Sequence, residues 1–130
     1  MTNLLAIAFG GALGALGRHF LAHWVMGITG GGFPWGIFVT NVAGSFLMGV
    51  LVECFARFGA PFQEARAFLA VGVLGAFTTF STFSLDTVLL IERGQLMAAA
   101  GYVLGSVVLA VGGLFAGMAV VRILTGGVVA

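Results

Sequence analysis

Four stretches of the chain, Leu4 to about Met26, Trp35 to about Phe55, Phe68 to about Ile91 and Leu96 to about Val121, are apolar enough and long enough to cross a bilayer. A helix needs about 20 residues for that crossing, so a chain of 130 residues has room for four spans and short connections but no soluble catalytic domain. The composition points the same way. Only 7% of residues are charged and 61% are hydrophobic, whereas soluble domains carry roughly a quarter charged residues. The expected fold is an all-α integral membrane protein, a single four-helix domain over residues 1–130 embedded in the lipid bilayer. No basic residues precede Leu4 and no small-residue cleavage pattern follows its run, so this run reads as a retained span rather than a signal peptide.

Several function classes fall away at once. The chain has no lysine and a net charge of +1, so the basic footprint that nucleic-acid binding requires is missing. Phosphate-loop, zinc-protease and nucleophile-elbow motifs are absent, and the chain does not read as an enzyme. Cys54 is the single cysteine, which rules out an intramolecular disulfide and any Cys-x-x-Cys chemistry. His19 and His23 stand one helical turn apart, a metal-ligand spacing, but no third ligand is evident and both read as interfacial histidines.

The third span is unusual. Within Gly72-Val73-Leu74-Gly75-Ala76-Phe77-Thr78-Thr79-Phe80-Ser81-Thr82-Phe83-Ser84 it carries five hydroxyl side chains and two glycines. Lipid offers no partner for exposed polar groups, so a polar or irregular break at bilayer depth belongs where protein or a water-filled cavity surrounds it. Such breaks recur at ion sites, and the third helix is expected to be broken mid-membrane there.

Four spans put both termini on one side. That side also receives the second loop and collects Arg57, Arg66 and Arg122, against Arg93 and Arg18 toward the other. Cytoplasmic loops carry an excess of basic residues, and three against two is nearly a tie. The chain is therefore expected to insert in both orientations and to pair as an antiparallel, dual-topology homodimer, the simplest closed assembly. Small residues at i, i+4 spacing, Gly10/Gly14, Ser45/Gly49, Gly101/Gly105 and Gly113/Gly117, would let helix backbones approach closely.

Three helices present neutral hydrogen-bond donors. Asn41 follows Thr40 and precedes Ser45 by one turn in the second span; Tyr102 and Ser106 share a face of the fourth; the third supplies its Thr/Ser run. A pore lined this way can replace an anion's hydration shell without trapping the ion. Phe80 and Phe83, at i, i+3, flank Ser81 and Thr82, and aromatic rings present positive edges to an anion. Arg18 reads either as the source of a positive vestibule field or as an interfacial anchor. Asp86, roughly 9 Å past Phe80 on a helix, reads equally as a vestibule residue or as an end charge reaching for the interface.

Gly10-Gly11-Ala12-Leu13-Gly14-Ala15-Leu16-Gly17-Arg18, Trp35-Gly36-Ile37-Phe38-Val39-Thr40-Asn41-Val42-Ala43-Gly44-Ser45-Phe46 and Gly75-Ala76-Phe77-Thr78-Thr79-Phe80-Ser81-Thr82-Phe83-Ser84, in that order, closely resemble the CrcB/Fluc fluoride channels. The resemblance covers nearly the whole chain. It implies an antiparallel dimer with two pores that conducts fluoride passively out of the cell across a bacterial inner membrane and gives fluoride resistance. It implies a structural sodium ion at the dimer centre, held by the Gly75 and Thr78 backbone carbonyls. It also implies that Asn41, Phe80, Phe83, Ser81, Thr82, Tyr102 and Ser106 line the fluoride pore, with Arg18 and Asp86 in the vestibule. Two positions depart from the family pattern: Ile37 stands where threonine is frequent, and Asp86 where glutamate is usual.

The competing reading is a small dual-topology, proton-coupled multidrug exporter. That chemistry needs a buried carboxylate, normally in the first span, and Leu4 to Met26 contains none. A non-transporting assembly subunit would explain the glycine-rich faces but not three polar helices converging on Phe80 and Phe83.

Overall fold

The computed structural model describes residues 1–59 and 62–126; Ala60 and Pro61 of the second loop and residues 127–130 lie outside the described residues. The described chain is entirely helical: α1 (Thr2–Thr29), α2 (Trp35–Phe58), α3 (Gln63–Arg66), a π-helical stretch (Ala67–Leu74), α4 (Gly75–Phe77), α5 (Phe80–Glu92) and α6 (Leu96–Leu124). α1, α2, the composite segment Gln63–Glu92 and α6 are each long and apolar enough to cross a membrane. This is a multi-pass membrane protein.

All four spans are somewhat longer than their apolar runs. α1 reaches Thr29 rather than Met26, α2 reaches Phe58, and the third segment begins at Gln63 rather than Phe68. The cause is local: helical bonding continues through interfacial polar residues until a turn residue stops it. α1 ends where Gly30 takes a left-handed conformation (φ 80°) and its N–H bonds Met26 O, a common helix stop. α2 starts directly after Pro34.

Packing follows the small residues, within the protomer. α1 lies against the π-helical stretch, and α2 against α6. A methyl at Gly14 would overlap Val73 O, and one at Gly10 would overlap Phe68 O, so the two backbones touch. Gly49 and Gly117 do the same for the α2/α6 pair, against Leu114 O and Phe46 O respectively. Gly101 is different: among the described residues nothing lies within 4 Å of an added methyl there.

The buried core is small and aromatic. Phe83, Leu90, Ala99 and Tyr102 cluster between α5 and α6, with Phe33, Ile37 and Phe38 against them. Tyr102 is fully enclosed, its ring 5.1 Å from Phe83 and 5.4 Å, edge-on, from Phe33. At the far end, α2 and α6 are tied by charge. Glu53, buried on α2, accepts from Arg57 Nε and Arg122 Nη2, each at 3.0 Å. Two of the three arginines counted on that face are thus partly neutralised.

A candidate ion site at the helix break

The third segment stops being helical at two adjacent threonines. Thr78 (φ −86°, ψ 156°) and Thr79 (φ −151°, ψ 125°) are extended, between a π-helical approach and a new α-helix. Widened π turns are frequent near functional sites. Thr78 Oγ1 donates to Leu74 O at 3.1 Å, closing off the end of the first half. Thr79 opens the second half as its N-cap, its Oγ1 accepting from the Thr82 N–H at 3.2 Å, the bond that favours threonine at helix starts.

Asn41 replaces the missing helical bonds. Its Oδ1 accepts from the Thr79 N–H at 2.8 Å and its Nδ2 donates to Thr79 O at 3.0 Å. One amide side chain on α2 therefore satisfies both backbone groups of the most extended residue in the span. Only one Nδ2 hydrogen then remains for anything else. From the sequence alone Asn41 reads as a donor to a passing ion; its first task in the fold is to hold the break open.

The break leaves two opposed sets of unpaired groups. In an unbroken α-helix the Thr79 amide would bond Gly75 O, but here it faces Asn41. The carbonyls of Gly75, Ala76 and Phe77 end the first half without intrahelical partners, and the amides of Phe80 and Ser81 begin the second half likewise. Helix C-termini carry partial negative charge and N-termini partial positive charge. Cation-favouring and anion-favouring ends thus meet within a few residues.

Beside them lies a cavity of about 360 Å3 lined by Asn41, Ser45, Gly75, Thr78, Phe80, Phe83 and Ser106, among others. Ser106 is 6% exposed, and its Oγ has no hydrogen-bond partner among the described residues. Buried hydroxyls nearly always have one, and this oxygen is itself enclosed by its neighbours. Phe80 and Phe83 are stacked obliquely, centroids 5.5 Å apart. Phe83 is buried, while Phe80 is 80% exposed and Gly75 is exposed beside it, so the cavity lies open on that side of the protomer.

The remaining site residues belong elsewhere. Arg18, Thr82 and Asp86 line a second cavity of about 420 Å3. Asp86 Oδ2 accepts from Tyr102 Oη at 3.0 Å, and Tyr102 stands behind Phe83 without lining either cavity. Ser81 is exposed, its hydroxyl 3.3 Å from Thr79 Oγ1. Ile37 lines the second cavity. The sequence reading missed Gly44, because nothing in the chain shows what it faces: a methyl there would overlap Thr78 Cγ2 and lie 2.9 Å from Phe77 Cδ1.

The carbonyl pair implied for sodium fits unevenly. Peptide oxygens at an opened helix suit a hard cation, and both residues line the first cavity. Gly75 O has been released by the turn of the Thr79 amide, as sodium ligation requires. Thr78 O already accepts from Arg18 Nη1, at 3.4 Å. That bond is long and leaves the oxygen a second lone pair, though the guanidinium charge acts against a cation there.

A multi-pass membrane protein with a span unwound at mid-length and an unsatisfied buried donor beside the opening belongs to the class of channels and transporters built on broken helices. Residues 5–118 match the family model described as "CrcB-like protein, Camphor Resistance (CrcB)". The chain belongs to this family. It is 53% identical over 126 residues to a protein of Rhodospirillum centenum named fluoride-specific ion channel FluC, covering 94% of this chain and 97% of that one. Proteins of the same name from Nitrobacter winogradskyi and Agrobacterium fabrum are 51% and 48% identical, over 124 and 122 residues. These cover 95% and 94% of this chain and 98% of each relative. The exporter reading gains nothing from the fold, since α1 carries no carboxylate.

Proposed function

We propose that this protein is a fluoride channel of the inner bacterial membrane that lets cytoplasmic fluoride leave passively, working as an antiparallel, dual-topology homodimer with two pores. The observation that carries the reading is the break at Thr78 and Thr79, held by Asn41 beside a cavity that Asn41, Phe80, Phe83 and Ser106 line. Every polar group offered to that space is neutral. Ser106 Oγ, the spare Nδ2 hydrogen of Asn41 and the first amides of α5 are donors, and a small, strongly hydrated anion is the ligand that needs several donors at once. Neutral donors replace its water without holding it as an ion pair would. Phe80 and Phe83 exclude bulk water and turn ring edges to the ion.

The second copy is the natural cover for the open side. Phe80 and Gly75 are exposed at mid-span, and near-equal basic residues on the two faces favour insertion both ways. The Gly75 and Thr78 carbonyls of each copy would then hold a sodium ion at the shared axis, whose charge would counter the clustered carbonyl dipoles. Sodium, compared with potassium at equal ionic strength, is expected to raise the melting temperature of the solubilised dimer, as any ligand bound only by the native state does.

Efflux from liposomes tests the function. Fluoride is expected to leave rapidly, with chloride retained; no flux from correctly assembled protein would end the reading. Ser106→Ala is the sharper probe. A hydrogen bond to a charged group contributes about 1.5 to 3 kcal/mol, so fluoride conductance should fall about ten-fold or more. Thermal stability should hold or rise, because the deleted hydroxyl has no partner among the described residues.

A further inference from the structure

Outside the break, the largest concentration of chargeable groups is the 420 Å3 cavity between α1, α2 and α5. Its α1 wall is Arg18, His19 and His23; α5 contributes Thr82 and Asp86. α2 and the loop before it contribute Pro34, Gly36 and Ile37, none of them titratable. The two imidazoles are stacked, centroids 6.2 Å apart and 14° from parallel, and both are exposed. A smaller cavity of about 140 Å3 shares Met26, Pro34 and Asp86 with this one and ends at Arg93. The two are neighbours through these shared residues, and Thr82 of the larger cavity is one residue from Phe83. Four cationic or protonatable groups, Arg93, His23, His19 and Arg18, line the pair, and Asp86 is the single acid in it.

We infer that His19 and His23 form, with Arg18, a proton-controlled anion-recruiting site in the entry cavity, taking small monovalent anions on their way to the break. The inference rests on the channel reading above. With both histidines neutral, Arg18 and Asp86 cancel and the inner cavity has no net charge. Protonating both adds two positive charges to one wall. Histidine is the side-chain type that changes charge in the range just below neutrality, and low-dielectric walls focus such charge on ions inside. Two unit charges roughly one Debye length from an anion raise its local concentration about three-fold. Stacked imidazoles bearing like charges would repel, and an anion between or beside them relieves that repulsion.

Single-channel fluoride current in planar bilayers decides the matter, since neutral hydrogen fluoride carries none. Wild-type conductance at low fluoride is expected to rise about three-fold from pH 7.5 to pH 5.5, and the rise to shrink as inert salt screens the site. His19→Gln/His23→Gln should lose the rise, giving the same conductance at pH 7.5 and pH 5.5. A double variant that retains the full pH ratio, or a wild type with none, overturns the recruiting site while leaving the channel intact. No fluoride current from the wild type at either pH overturns the channel reading and this one with it. If the double variant assembles poorly, each single variant should show about half the rise, and an unchanged ratio in both singles counts against the site equally.

Discussion

Asn41→Leu should abolish fluoride current. Leucine keeps the volume but removes both bonds to Thr79, leaving an amide and a carbonyl unpaired at mid-span. Each stranded group costs about 1 to 3 kcal/mol, and lipid supplies no alternative partner. The chain would relieve the loss by closing the break into continuous helix, burying the freed Gly75 carbonyl and the α5 N-terminus that the proposed ion site uses. Flux should fall at least a hundred-fold, with a lower melting temperature. Asn41→Asp separates the two roles of this residue. It keeps an acceptor for the Thr79 amide but offers no donor to Thr79 O when ionised, and it puts a negative charge beside the path of an anion. Folded protein with flux reduced at least as far is the expected result; wild-type flux in either variant would remove Asn41 from the proposed pore.

Gly44→Val attacks the same break from the other side. The added side chain would drive into Thr78 Cγ2 and the Phe77 ring, and overpacking of this kind typically costs about 1 to 3 kcal/mol. Thr78 and Phe77 must move, and with them the carbonyl end of the first half-helix. Fluoride flux is expected to fall more than ten-fold, with Gly44→Ala intermediate. Gly101→Ala serves as the control, because its methyl meets nothing within 4 Å among the described residues of the protomer. Equal losses at Gly44 and Gly101 would mean that the effect is general to glycine replacement in these helices and not a consequence of moving the break.

Much of this was legible in the chain. Four long apolar runs leave no other fold in water or lipid, and the Thr/Ser run marks the place where the third span opens. The glycine pairs were legible only in part. Gly10/Gly14 brings α1 onto the π-helical stretch, and Gly49 and Gly117 serve the α2/α6 contact, whereas a methyl at Gly101 would touch nothing among the described residues of the protomer. Spacing places such residues on a helix face but does not say what the face meets. The candidate site divided in the same way. Asn41, Phe80, Phe83 and Ser106 share one cavity, Arg18, Thr82 and Asp86 another, and Tyr102 is sealed between neighbours as the partner of Asp86.

The sequence by itself determined that the chain is a membrane-spanning helical bundle and that its third span carries the polar interruption, because both follow from hydropathy and from hydroxyl groups set in an apolar run. Only the tertiary structure decided how the interruption is held. Asn41 lies 38 residues from Thr79, and Arg18 lies 60 from Thr78; no local pattern links them. Ser106 becomes conspicuous only once packing has buried its hydroxyl and left it without a partner among the described residues. Satisfaction of polar groups is a property of three-dimensional neighbours, and in a bilayer, where water cannot make up the difference, it is the property that creates the site.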